Sequence, residues 1–214
     1  MFLAEAQWFR ARLQELAGSA LFPLLNVGSG NDLHRRVRQP WIDRELFAPI
    51  RERDGRVLHM DIIAGPGIDV VGDLSDEASL KGLKDFGIRS VLCSNVLEHV
   101  SDRNAFCVAM LQLLPSGGVL LISCPNAYPY HAAPIDTMFR PELAELRALF
   151  PATEMISGEI LDVGSFIDEI RQQPLLLPRL FLPFYRPRRW YGLLHRLPWL
   201  FRTYRASCLV LRKL

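Results

Sequence analysis

Thiols are few in this chain of 214 residues, and the four present, Cys93, Cys107, Cys124 and Cys208, lie far apart, mostly inside apolar runs, with no CxxC pair. That pattern favours buried reduced thiols over zinc or disulfides and places the expected compartment in the cytosol. No apolar run reaches the roughly 18 residues a membrane-crossing helix needs. Glu5, Arg10, Arg12 and Glu15 break up the first turns, so they leave no uninterrupted apolar core for a signal peptide. Internal repeats are absent. One stretch lacks acids altogether: from Arg171 to Arg205 there are eight arginines, no lysine and no carboxylate, which leaves 17 basic against 23 acidic residues, a net −6, for the rest. The two parts are expected to meet different partners.

What is present is a core-forming chain, half hydrophobic, long enough for one domain with an appendage and too short for a second full domain. Phe2, Ala6, Phe9, Leu13 and Leu16 repeat at helical steps toward Gly18. "LFPLLNVG", "GRVLHMDI" (55–62), "IDVVGDL" (68–74), "RSVLCSNV" (89–96) and "GVLLISCP" read as short buried strands, and "EMISGEIL" and "ASCLVLRK" as two last ones. Between them, Ser75 can cap one helix that Gly87 stops. Phe106, Met110 and Leu113 mark a second, starting near Ser101 or Asp102. Pro141 sits where a third would take its first residue. Strands alternating with helices imply an α/β, doubly wound, mostly parallel sheet covered on both faces. Ligands of such sheets sit at the carboxyl ends of the strands.

The first strand breaks into "NVGSGND", where Gly28 and Gly30 allow a sharp turn and close approach of a ligand. A dinucleotide site would place a third glycine at position 33, which is Leu33. A pyrophosphate therefore lacks its seat, and a smaller ligand without phosphates is the better fit. Asp61, ending the second strand, can accept both hydroxyls of a ribose. It lies 31 residues beyond Gly30, so an enlarged connection must intervene. Asp73, before Leu74, can accept from an adenine amino group.

Taken together, "NVGSGN", "HMDI", "GDLSD" and "LCSNVLEHV" resemble the class I S-adenosylmethionine-dependent methyltransferases over about residues 20 to 150 plus the closing strand 206 to 213. The resemblance implies a Rossmann-like sheet of seven strands with an antiparallel last strand. It also implies S-adenosyl-L-methionine as cofactor and a donor pocket formed by Asn26, Gly28, Gly30, Asp61, Asp73, Leu74 and Asn95. Such chains usually carry Asp or Glu where this one has Asn26. An amide oxygen can still accept from the amino group of the methionine moiety, or the contact can pass to Asp32. His99 matches the strand-four motif and reads as a structural or cofactor-lining residue. No metal is expected.

The loop Pro125 to Pro141, 17 residues, carries the groups an acceptor would need. His131 can accept a proton, Asp136 can orient its imidazole, and Tyr128 or Tyr130 can stack on or hydrogen-bond the acceptor. A proline-rich loop also needs polar side chains for its own backbone, and that reading stays open. The appendage 171–205 holds five prolines and eight aromatics, against both a long helix and free disorder. It reads as a lid or dimer contact, or as a segment for an anionic membrane surface or a lipid-linked acceptor. Nucleic acid is the least suited of these partners, and the oligomeric state is not legible. The expectation is a methyltransferase acting on oxygen or nitrogen of a small-molecule or lipid-linked acceptor. The alternative is a non-catalytic cofactor-binding or scaffold domain.

Overall fold

The computed structural model describes residues 1–16, 21–131, 135–172, 178, 190 and 196–214. Seven strands form one sheet: β1 (Leu24–Val27), β2 (Val57–Asp61), β3 (Val70–Val71), β4 (Ser90–Ser94), β5 (Val119–Ala127), β6 (Thr153–Ser165) and β7 (Thr203–Lys213), in the order β3-β2-β1-β4-β5-β7-β6. The first five are mutually parallel, while β7 runs antiparallel to both β5 and β6. The chain thus has the mostly parallel sheet its patterning implied, and the Rossmann-like set of seven strands with an antiparallel last strand that the resemblance implied.

Period-two alternation divides the core into two layers. Leu25, Leu120, Leu209 and Leu211 join the cluster that holds α4 (Glu77–Lys84), α5 (Arg103–Leu113) and α6 (Leu143–Ala148) through Leu83, Met110 and Leu146. Their neighbours Leu24, Leu121, Cys208 and Val210 face the other way. They pack on α1 (Leu3–Glu15) through Ala6 and Phe9. All four cysteines are buried free thiols.

The enlarged connection between β1 and β2 is a chain of short turns. It runs through a wide helical turn Leu33–Arg38, α2 (Pro40–Ile42), a second wide turn Asp43–Phe47 and α3 (Ala48–Arg51). Ile42, Leu46, Phe47 and Ile50 anchor it beside α1. Strand order reverses between β1 and β4, so the crevice at their carboxyl ends is the switch point where such sheets take ligands.

Three local readings shift. The α4 cap is Asp76 and not Ser75, because Asp76 Oδ2 accepts from the Ser79 N–H and hydroxyl at 2.9 Å each, while the Ser75 N–H is already donated to Asp73. Pro141 stays outside α6. Its carbonyl accepts from Asn126 Nδ2 at 3.1 Å and Ser207 Oγ at 2.6 Å, and Glu142 becomes the cap. β6 outruns "EMISGEIL" because it pairs with β7 along its whole length, absorbing two register shifts. Gly18 and most of the 171–205 appendage lie outside the described residues. Its described end forms a short turn, Leu197–Phe201, and then enters β7. Among the described residues no helix is long and apolar enough to cross a membrane.

Candidate functional site

A cavity of about 780 Å³ opens at the switch point, within the range of small-molecule sites. Asn26, Gly28 and Ser29 line it from β1, Ser94, Asn95, Glu98 and His99 from beyond β4, and Tyr128 and His131 from beyond β5. Phe2 and Gln7 of the first helical segment, and Asp168 and Glu169 of α7 (Phe166–Gln172), close it from above.

The glycine turn is conformationally fixed. Gly28 has φ +63°, and a Cβ there would lie 2.5 Å from Val96 Cγ2, so no other residue fits without displacement. Asn95 also takes a positive φ of 54°, which asparagine tolerates, and its Nδ2 donates to both Glu5 carboxylate oxygens at 3.2 Å. Asn26 Nδ2 lies 3.1 Å from His59 Nδ1. That contact uses the amide N–H and leaves its oxygen to accept. Burial pushes His59 down to about 4, so its ring is neutral and can take that N–H.

Asp61 Oδ2 accepts the Gly30 N–H at 2.8 Å and Oδ1 the Ile63 N–H at 3.1 Å, tying the end of β2 to the turn. Asp61 pairs with Val71 in β3, and Asp73 follows two residues beyond that strand, so the two carboxylates come at the ends of neighbouring strands on the same rim. Asp73 Oδ1 accepts from the Ser75 N–H at 2.8 Å. Leu74 is buried in the α4–α5 core. Of the donor-side residues read from the sequence, Asn26, Gly28 and Asn95 line the cavity. Gly30, Asp61, Asp73 and Leu74 are not among its lining residues.

Sequence reasoning missed Arg35. It is a fully buried cation whose guanidinium donates to Ser29 Oγ at 3.3 Å, the Gly30 carbonyl, Asp32 Oδ1 at 2.8 Å and the Gly67 carbonyl at 2.7 Å. It clamps the glycine turn to the loop before β3, and it engages the Asp32 carboxylate. The only sequence signal was the Asp32–Arg35 spacing of three.

On the acceptor side, the Asp136 side chain is fully buried and bound by Arg140 Nη2 at 2.6 Å. The backbone N–H groups of His131 and Met138 donate to it at 3.0 and 2.8 Å. Burial works against its charge, but these donors prevail and hold its carboxyl down at about 2. His131 Nδ1 lies 3.1 Å from Asp136 Oδ2, off the line a strong hydrogen bond needs. Burial lowers the His131 pKa, so the ring is neutral near pH 7. Asp136 is therefore first a partner of Arg140 and second a neighbour of the imidazole.

The Tyr128 ring packs edge-on against His131, with centroids 5.5 Å apart, and against Tyr204 at 4.7 Å. Its hydroxyl donates to Glu169 at 3.4 Å, and burial pushes it up to about 12. Arg196, from the appendage, holds the other Glu169 oxygen at 2.6 Å, and Trp199 lies 5.5 Å from Tyr204. Tyr130 points away, half exposed.

Glu98 is fully buried, and among the described residues neither carboxylate oxygen has a hydrogen-bond partner. Desolvation pushes its carboxyl up to about 7.

Neither a family model nor a curated protein matches the sequence. Solved structures do match the fold. Coclaurine N-methyltransferase, bound in its crystal to N-methylheliamine and S-adenosylhomocysteine, superposes with a TM-score of 0.59 at 12% identity over 98% of this chain and 71% of that one. A SAM-dependent methyltransferase from Anabaena variabilis gives 0.57 at 13% identity over 98% and 86%. MccD protein gives 0.56 at 15% identity over 98% and 96%. The chain has the class I S-adenosylmethionine-dependent methyltransferase fold.

Proposed function

We propose that this chain transfers a methyl group from S-adenosyl-L-methionine to an oxygen or nitrogen of a small-molecule or lipid-linked acceptor. The observation that carries the reading is that the glycine turn and the His131 loop open into one cavity at the switch point of this fold. Asn26, Gly28 and Asn95 would receive the methionine end of the donor, and Asp61 and Asp73, on the same rim, the ribose and adenine. The donor already carries its leaving group, so the protein's main work is alignment of acceptor and methyl.

A hydroxyl or ammonium acceptor must also lose a proton, and the neutral His131 imidazole is in place to take it. Asp136 would steady the cation that forms, and the Tyr128 ring would wall the acceptor. Arg196 and Trp199 stand beside this end of the cavity, which supports a lid role for the appendage. Its other arginines would serve an anionic membrane face from the cytosolic side.

Titration calorimetry with S-adenosylmethionine, S-adenosylhomocysteine and NAD tests the donor. The expected order is binding of the first two and none of NAD. A His131→Ala variant should keep donor affinity and lose turnover. Full turnover in that variant would remove the proposed base, and donor binding without turnover on any acceptor would favour the scaffold reading.

A further inference from the structure

Glu98, His99 and His131 each offer one ligand atom, and these atoms lie within 4.8 Å of one another on the cavity wall. We propose that they form a binding site for a divalent transition-metal ion, with zinc the best fit to two imidazoles and one carboxylate.

Three observations converge. The buried Glu98 carboxylate has no hydrogen-bond partner for either oxygen among the described residues, a costly arrangement unless a ligand takes them up. His99 Nδ1 faces the Ile135 carbonyl, which can only accept, so this nitrogen carries the proton and Nε2 holds the free lone pair. That Nε2 is 3.8 Å from Glu98 Oε1, so a small side-chain adjustment brings the pair to the roughly 3.3–3.5 Å edge of a tetrahedral zinc site. The second imidazole, His131, lies with Nδ1 3.1 Å from Asp136 Oδ2 but out of line for a hydrogen bond, so the carboxylate supports it by charge and the ring keeps a nitrogen for a metal. A carboxylate or carbonyl behind each imidazole is the usual support of a metal-ligating histidine.

Three protein ligands leave a coordination position open to the cavity. Metal binding does not depend on the methyl-transfer reading, but its consequence does. An acceptor hydroxyl ligated there would release its proton to water. The O–CH₃ bond would then form as the donor's C–S bond breaks and its electron pair returns to sulfur. In that loaded state His131 is a ligand, and the proton does not pass through it.

The test titrates the chelator-stripped full chain with zinc chloride alone, in competition with a chromophoric chelator. S-adenosylmethionine calorimetry and circular dichroism are run on the same preparations. One zinc per chain is expected. Glu98→Ala and His131→Ala should each weaken it by more than the roughly 100-fold that loss of a supporting outer partner can cause, and Asp136→Asn by roughly tenfold. If Glu98→Ala fails to fold, Glu98→Gln removes the anion with little change of shape. No stoichiometric zinc, or equal affinity in the folded variants, overturns the site. Donor binding without zinc binding sinks this inference alone, whereas zinc binding without donor binding sinks the methyl-transfer reading alone.

Discussion

The two sides of the rim solve opposite problems. Around β1 and β2 the polar groups serve one another: Asp61 holds the Gly30 and Ile63 N–H groups, Arg35 holds Ser29, Gly30, Asp32 and Gly67, and Asp73 holds Ser75. At the acceptor end, among the described residues, both Glu98 oxygens and His131 Nδ1 are buried and left over, while the donor side leaves over Asn95 Oδ1 and, in the β1–β2 connection, Gln39 Oε1. A buried polar atom without a partner costs about 1–3 kcal/mol. The glycine turn is thus preorganised by internal bonds, whereas the Glu98–His131 corner keeps unmet bonding capacity for something that arrives.

This contrast predicts opposite responses to substitution. Arg35→Met should have the largest effect, a loss of about 3 kcal/mol, because it strips a buried cation from several acceptors at once. Urea unfolding would measure it, and calorimetry should show donor binding abolished. Stability unaffected by this change would mean that the donor side is not held as described.

Acid should strike the same side. His59 is held down to about 4 by burial, with Arg35 also disfavouring its charge and Asp69 opposing. Below its ordinary value of 6.5 the unfolded chain takes up a proton that the folded chain refuses. Stability present above pH 6.5 should therefore be lost as pH falls toward 4, by up to about 3 kcal/mol. Urea midpoints across that window should flatten in His59→Gln.

Gly28→Ala should cost about 1–3 kcal/mol through its positive φ and its approach to Val96, and should weaken donor binding at least several-fold. On the acceptor side, Glu98→Leu is expected to raise stability by about 1 kcal/mol, by removing a buried carboxyl without partners, while methyl transfer is lost. If that variant is instead destabilised, the group has partners in the folded protein and the contrast fails.

Much of the architecture was legible because strand and core are local patterns. "VLLISC" and "LVLRK" alternate between faces as buried strands must, and Asp102, one of the two starts left open for its helix, is the cap. Ser75 was the expected cap, but Asp76 takes that place, a choice between adjacent residues that depends on the turn Asp73 makes with the Ser75 N–H. Arg35 was illegible because one of three closely spaced arginines, with Arg36 and Arg38, reads as solvated, and its Gly67 partner comes from a loop 32 residues away. Glu98 and His131 stand 33 positions apart and belong to different strand ends, so nothing in their spacing suggested a shared neighbourhood. Parallel pairing of β4 with β5 creates it.

The roof of the cavity has a consequence for biosynthesis. α1 is seated by Trp8 donating to Glu159 at 2.8 Å and Arg12 to Ser157 at 3.3 Å, across 151 and 145 residues of chain. A ribosome must therefore release β6 before α1 can dock. Nascent chains halted short of β6 should display the apolar face of α1 to chaperones, and a pulse of protease would cut there first.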